Sequence, residues 1–428
     1  MSESNEQPPR RRRWPWVVAA LVVIAIVVVA ALASVVMRSS EEQEDGLAAL
    51  EATSVDESTL PQTLPFRYVA GHVLIDALPG DSTERLNFIL DSGAPTTYSD
   101  DVADAHGGEA VGQIKEEAID GSVLDVPIIP VETLSLGGAE FHDAAGTKGF
   151  LEPDNPLSCL SDNGLIGASL MKNAVWQLDY EAQEVTIAPT LDGLDHIDGA
   201  IALDFTYASP ASPSPLVRFG GGDGELVFLL DTGSDGDLTV NPADVEAIGV
   251  TVDQDGPAIE TIAAGAAGTY DAALTYAGID LDIGGATVAE YPIATVESLA
   301  EGQGNIGNAF LDDFVLTIDW PGGKVYLDPV SADGSIPTPT EPAAVNVGWD
   351  GEDMTVGSIA RGSPPAEAGL ELGETVVAID ETDVGAATRD DFCTWYTSDT
   401  PDQYSLTDTA GETFEIGPVE GFYDSLAG

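Results

Sequence analysis

Lysine is almost missing from this chain: four occur in 428 residues. Arginine does not make up the difference, because 14 basic side chains face 74 acidic ones and leave a formal net charge of −60. With no basic stripe to neutralise phosphates, nucleic-acid binding is disfavoured. A surface this acidic repels itself at low ionic strength and is tolerated where salt screens it, which points to a salt-loving source. Cysteine is equally sparse. Cys159 and Cys393 imply no disulfide framework, and the sequence does not say whether they meet. The four histidines, His72, His106, His142 and His196, form no H-E-x-x-H metal pattern. The stretch Asp253-Gln254-Asp255-Gly256 resembles part of a calcium loop. An EF-hand register would place Thr251 and Ile262 at the first and last ligand positions, where carboxylates are needed, so it reads as a turn. No metal site is expected.

What the chain does have is a motif that occurs twice. Phe88-Ile89-Leu90-Asp91-Ser92-Gly93 returns 140 residues later as Phe228-Leu229-Leu230-Asp231-Thr232-Gly233. One such triplet arises easily by chance in an Asp- and Gly-rich chain, but here the surroundings repeat too. Leu165-Ile166-Gly167 and Asn305-Ile306-Gly307 each end 76 residues after their Asp. Asp179-Tyr180 and Asp319-Trp320 follow 12 residues further on, then Pro189 and Pro329 after another ten. The Leu136-Gly137-Gly138 turn has a partner in Ile283-Gly284-Gly285, with seven residues of length difference between the two alignments. The pattern reads as a duplicated lobe. Short β-branched runs such as Tyr68 to Ile75, Leu86 to Leu90, Val126 to Val131 and Val185 to Ile187, broken by Gly, Pro, Asn and Asp, predict an all-β architecture.

The N-terminus carries a different signal. Val17 to Met37 is an apolar run of 21 residues, interrupted only by Ser34, behind Arg10 to Arg13 and ahead of Glu41, Glu42, Glu44 and Asp45. It is long enough to span a bilayer, and the positive flank predicts a cytoplasmic N-terminus with everything after it outside. Ala31-Leu32-Ala33 resembles a signal-peptide cleavage site, a reading the length of the run disfavours. Residues 1–38 hold five Arg and two Glu, so the exported part carries −63. The predicted organisation is a cytoplasmic tip and membrane helix (1–38), an acidic solvated stem (39–60), two lobes (61–192 and 193–331), a proline-bearing linker (332–343) and a C-terminal domain (344–428).

The doubled region, roughly 61–330, resembles the aspartic proteases, in a two-lobed single-chain form with short lobes of retroviral-protease type. The resemblance rests on D-S-G-A at 91–94, D-T-G-S at 231–234, the apolar triads before them and the elements at 165–167 and 305–307, each ending in Ile-Gly. It implies that Asp91 and Asp231 meet at a symmetry axis, share one proton and activate one water, with neither role assignable from sequence. Gly93 and Gly233 would permit the tight turn, Ser92 and Thr232 would lock the two loops to each other, and Ile166-Gly167 and Ile306-Gly307 would pack beneath them. Flap hairpins are expected at Ile119-Asp120-Gly121-Ser122 and at Ala264 to Tyr270, with no water-orienting tyrosine assigned. Water is the nucleophile in this chemistry, so no cofactor is expected. Residues 344–428 resemble a bacterial PDZ domain. Pro364-Pro365 would open a short helix stopped by Gly369, Thr388 to Thr397 would supply the longer groove helix, and Val345-Asn346-Val347-Gly348-Trp349 would be the carboxylate loop.

The reading is therefore a mostly β, membrane-anchored, extracytoplasmic aspartic endopeptidase acting on proteins or peptides, with a small α+β PDZ module that recruits or senses peptide ends. The alternative is a non-catalytic peptide-binding receptor or scaffold on a degenerate form of the same fold. The oligomeric state stays open, although fused lobes need no dimer to build the site.

Overall fold

A computed structural model describes residues 40–117, 123–149, 155–265, 268–398, 401 and 403–426. The expected apolar span at 17–37 and the first flap tip at 119–122 lie outside them. Among the described residues no helix is long and apolar enough to cross a membrane.

The chain is mostly β, and its described strands form sheets of 11, six, ten and four strands. The two apolar triads explain the centres of the large sheets. Leu86–Asp91 runs parallel to Gly164–Gly167, pairing Ile89 with Leu165 and Asp91 with Gly167. Its counterpart Gly224–Leu230 runs parallel to Gly304–Ile306, pairing Leu229 with Asn305. A parallel pair is typically covered on both faces, which is why these segments are continuously apolar instead of alternating. Each pair is followed by a four-residue helix, Ala168–Met171 and Asn308–Leu311. The two Gly-Gly turns also correspond. Gly137 and Gly138 join Thr133–Leu136 to Ala139–His142, and Gly284 and Gly285 join Gly268–Ile283 to Ala286–Thr295. All four glycines have positive φ (61°, 108°, 60° and 99°), as a two-residue turn matched to strand twist requires. The run Tyr68 to Ile75 is two strands, Arg67–Val69 and His72–Pro79, folded back at Ala70-Gly71.

The six-stranded sheet is shared by both halves. At its centre Val175–Asp179 pairs antiparallel with Phe314–Asp319. Gln177 stands opposite Thr317, its own counterpart at the 140-residue offset, and its Nε2 donates to Thr317 Oγ1 at 2.8 Å. The local two-fold axis therefore passes through this pair. A single apolar core runs from Leu64 and Phe88 in the first lobe to Phe310 and Leu327 in the second.

The stem departs from expectation. Residues 40–52 are helical, and Leu50 is buried against Ile114, Ile128 and Ala145. Ser54–Val55 then adds to Ala139–His142 as an edge strand. The acidic composition hid the few apolar side chains, Leu47 and Leu50 among them, that pack this segment onto the first lobe instead of leaving it in solvent.

Residues 344–426 hold a core of their own, including Val345, Val356, Phe392 and Leu406. The short helix is Pro364–Ala368, capped by Ser363 and ended by Gly369 at φ 102°. The longer one is Arg389–Tyr396, with a Thr388–Asp391 capping box. The candidate loop Val345–Trp349 is instead a strand, because it pairs with Met354–Ala360 along its length. This region grips both lobes. Met354–Ala360 extends the second-lobe sheet by pairing with Ala258–Gly265, and Arg361 Nη1 donates to Gln254 O at 2.8 Å and Gly256 O at 3.2 Å in the Asp253 turn. On the other side Cys159 and Cys393 form a disulfide between the first lobe and the longer helix, beside an Arg389 Nη2 donation to Ser158 Oγ at 2.6 Å.

Candidate functional site

Each parallel strand pair delivers its aspartate into a tight turn at the interface of the lobes. The turns lock reciprocally. Ser92 N–H donates to Thr232 Oγ1 at 2.9 Å and Thr232 N–H donates to Ser92 Oγ at 3.1 Å. Ser92 Oγ–H donates to Leu230 O at 2.7 Å, and Thr232 Oγ1–H donates to Leu90 O at 2.9 Å. Both side chains are fully buried, so the four bonds replace solvation that the strand ends lack.

The glycines explain how closely the turns approach. A Cβ on Gly93 would lie 2.5 Å from Asp231 Cγ, and one on Gly233 would lie 2.4 Å from Asp91 Cγ. No side chain fits either place, so Gly here is a requirement of approach and not of φ. Within each turn the carboxylate Oδ1 accepts from the glycine two residues on, Gly93 N–H at 2.7 Å and Gly233 N–H at 3.0 Å. Beneath them, Ile166 and Ile306 are buried. A Cβ on Gly167 would meet Ala94 O at 2.3 Å, and one on Gly307 would meet Gly236 O at 2.3 Å, so both glycines support the turns from below.

Asp91 and Asp231 lie close together, each carboxyl packed against the glycine of the other's turn. Burial, then the charge of Asp231 beside it, push the Asp91 carboxyl well above the usual carboxylate range. Such an arrangement holds one proton between two carboxyl groups. It can deprotonate a water with one member and protonate an oxygen with the other.

The dyad opens into a cleft of about 1720 Å³ that three parts of the chain enclose. Asn346, Val347 and Gly348 of the edge strand line it, as do Phe392, Trp395 and Tyr396 of the longer C-terminal helix. Val345 is buried in the C-terminal core, and Trp349 stacks on Phe392 with ring centroids 5.8 Å apart, so these two hold the wall in place. Of the second flap candidate, Ala264 to Tyr270, the described residues belong to the paired strands Ala258–Gly265 and Gly268–Ile283, and 266–267 lie outside the described residues. Tyr270 is not among the cleft-lining residues.

Sequence reasoning missed Asn305, whose Nδ2 donates to Asp231 Oδ2 at 2.9 Å. The signal was present: a polar residue occupies a position that its twin fills with Leu165. The helix at Thr388 to Thr397 was expected to wall a peptide groove, but not to line the same cleft as the two aspartates with Phe392, Trp395 and Tyr396. No family model matches the chain, and no curated protein is similar to it.

Proposed function

We propose that the chain is an aspartic endopeptidase whose two duplicated lobes supply Asp91 and Asp231, and whose C-terminal PDZ-like domain forms part of the substrate cleft. The observation that carries this reading is the pair of carboxyl groups, each packed against the opposite turn's glycine, presented by reciprocally locked turns and lining one open cleft.

The chemistry follows from the shared proton. The ionised member takes a proton from water as the water oxygen bonds to the scissile carbonyl carbon. The carbonyl oxygen takes the proton of the other member, giving a neutral gem-diol. Collapse breaks the C–N bond. The nitrogen receives the proton first taken from water, and a diol hydroxyl returns a proton to the second carboxyl, restoring the starting state. Peptide ends engage the PDZ-like groove by adding to the outer edge of Val345–Trp349, the last strand of its sheet among the described residues, beyond Val345 O, which Tyr404 Oη–H already occupies. Because that strand lines the same cleft as the dyad, recruitment and cleavage concern one bound chain.

The apolar N-terminal run favours a membrane anchor with the catalytic part outside the cytoplasm. The interdomain disulfide fits an oxidising compartment. The second reading, a peptide-binding receptor without catalysis, is favoured by the C-terminal domain roofing the cleft. Incubating the full chain in detergent with a mixed peptide library separates the two. Cleavage lost in both Asp91→Ala and Asp231→Ala supports the peptidase. Binding without cleavage by the wild type supports the receptor.

A further inference from the structure

The two carboxyl groups are not in equivalent surroundings. Asp231 accepts from Asn305 Nδ2 at 2.9 Å, in addition to Gly233 N–H. The corresponding position in the first lobe, 140 residues earlier, is Leu165, whose side chain has no hydrogen to donate. Both residues hold the same place in the fold: Leu165 pairs with Ile89 and Asn305 with Leu229, in matching parallel ladders. The backbone thus repeats while the side chain facing the carboxyl changes from apolar to donor.

Asn305 does not have the bonding of a packing residue. Its Oδ1 is buried with no partner among the described residues, so its side-chain amide is held at one end alone, by the catalytic carboxylate. Asn308, three residues on, shows the contrast. It donates to Gly71 O at 2.8 Å and Thr232 O at 2.7 Å and accepts from Tyr180 Oη–H at 2.8 Å, satisfying both amide atoms. A buried acceptor left without a partner costs stability, and it is retained where the other end of the group has a use.

We infer that Asn305 is a positioning residue that fixes the charge on Asp231 and so makes Asp231 the base and Asp91 the acid. A donor to a carboxylate favours its ionised form, and Asp91, which has the backbone donors Gly93 and Ala94 but no side-chain amide, is the carboxyl left holding the shared proton. This rests on the peptidase reading and assigns the direction of its first proton transfer: water to Asp231, Asp91 to the carbonyl oxygen.

The test is the pH dependence of the dyad in Asn305→Leu, which copies the first lobe. Removing a hydrogen bond to a charged group raises the lower apparent pKa by about 1–2 units. The acid limb of kcat/KM should move up by that amount in the full chain, and carboxyl 13C difference spectra should report the same shift without turnover. The exchange variant Leu165→Asn/Asn305→Leu, which moves the amide to the other lobe, should return the limb to its wild-type position. A limb that stays in place in a folded Asn305→Leu would overturn the inference, and so would one that moves to lower pH, which would put the proton on Asp231. An inert wild type overturns the peptidase reading instead. In that case the carboxyl titration still decides whether Asn305 biases the pair.

Discussion

The first and second lobes share a backbone plan and differ in how they are decorated and held. Both present an aspartate from a parallel strand pair, both support it with a glycine and a four-residue helix, and both carry a Gly-Gly hairpin before that glycine. Leu165 corresponds to Asn305, Ala94 to Ser234 and Ala168 to Asn308 in the repeat. The C-terminal region treats the lobes differently as well, joining the second by strand pairing and the first by a disulfide. Tight turns and strand ladders tolerate little change, because each backbone donor there needs its partner. A side chain facing a cleft is free to diverge. What the lobes have in common reports the fold, and what separates them reports the division of labour.

The largest effect should come from removing what the lobes share. Asp91→Asn and Asp231→Asn should each lower kcat by at least about 10³-fold while leaving the unfolding midpoint within a few degrees, since the two act as a unit. A single active variant would show that one lobe alone carries the chemistry. Next comes the attachment that differs. Cys159→Ser/Cys393→Ser opens a cross-link between residues 234 apart and should cost about 2–5 kcal/mol in denaturant unfolding. Unchanged stability would mean that strand pairing to the second lobe already fixes the C-terminal domain.

The interlobe lock should follow. Ser92→Ala leaves a buried amide of Thr232 and the carbonyl of Leu230 without partners, a loss of about 1–3 kcal/mol by urea titration. Thr232→Ser keeps the hydroxyl and should cost under about 1 kcal/mol. If the two variants are equally damaging, methyl packing and not the lock holds the turns.

The smallest effect lies in the second lobe alone. Burial pushes Asp237 up to about 6, against a hydrogen bond from Tyr291 that favours its charge. A carboxyl whose folded pKa is raised binds more protons folded than unfolded. Its contribution is therefore complete below the unfolded value near 4 and is lost as pH rises through about 6. Asp313, also raised to about 6 by burial, acts in the same sense. Asp237→Asn should flatten the fall in stability between pH 4 and 6 by at most about 3 kcal/mol, read from thermal unfolding at constant salt. An unchanged slope would assign that pH dependence to other carboxylates.

The duplicated elements were legible because their constraints are local. A turn that admits no Cβ must be glycine, and a strand covered on both faces must be apolar, so Gly93, Gly233 and the two triads carry their structure in their residue types. The short helix from Pro364 to Ala368 and the cap at Gly369 could be read for the same reason. The placement of the C-terminal region could not. The ladder between Met354–Ala360 and Ala258–Gly265 is made of backbone groups that any sequence offers, and Cys159 and Cys393 lie in different domains, 234 residues apart. The stem at 40–52 was misread because a charge-rich segment needs few apolar side chains to dock, and the composition outweighed Leu50. Asn305 was visible as a break in the repeat but acquired meaning only from the carboxylate beside it.

The contact between Gln177 and Thr317 sets a limit on how such a site is made. Positions on a two-fold axis face their own images, so two identical subunits would have to place the same residue on both sides. Here an amide meets a hydroxyl, an inequality that two identical subunits could not have. The same liberty permits a lone donor beside one aspartate, so the polarity of the dyad is written in a single gene product and does not wait on a substrate to break the symmetry.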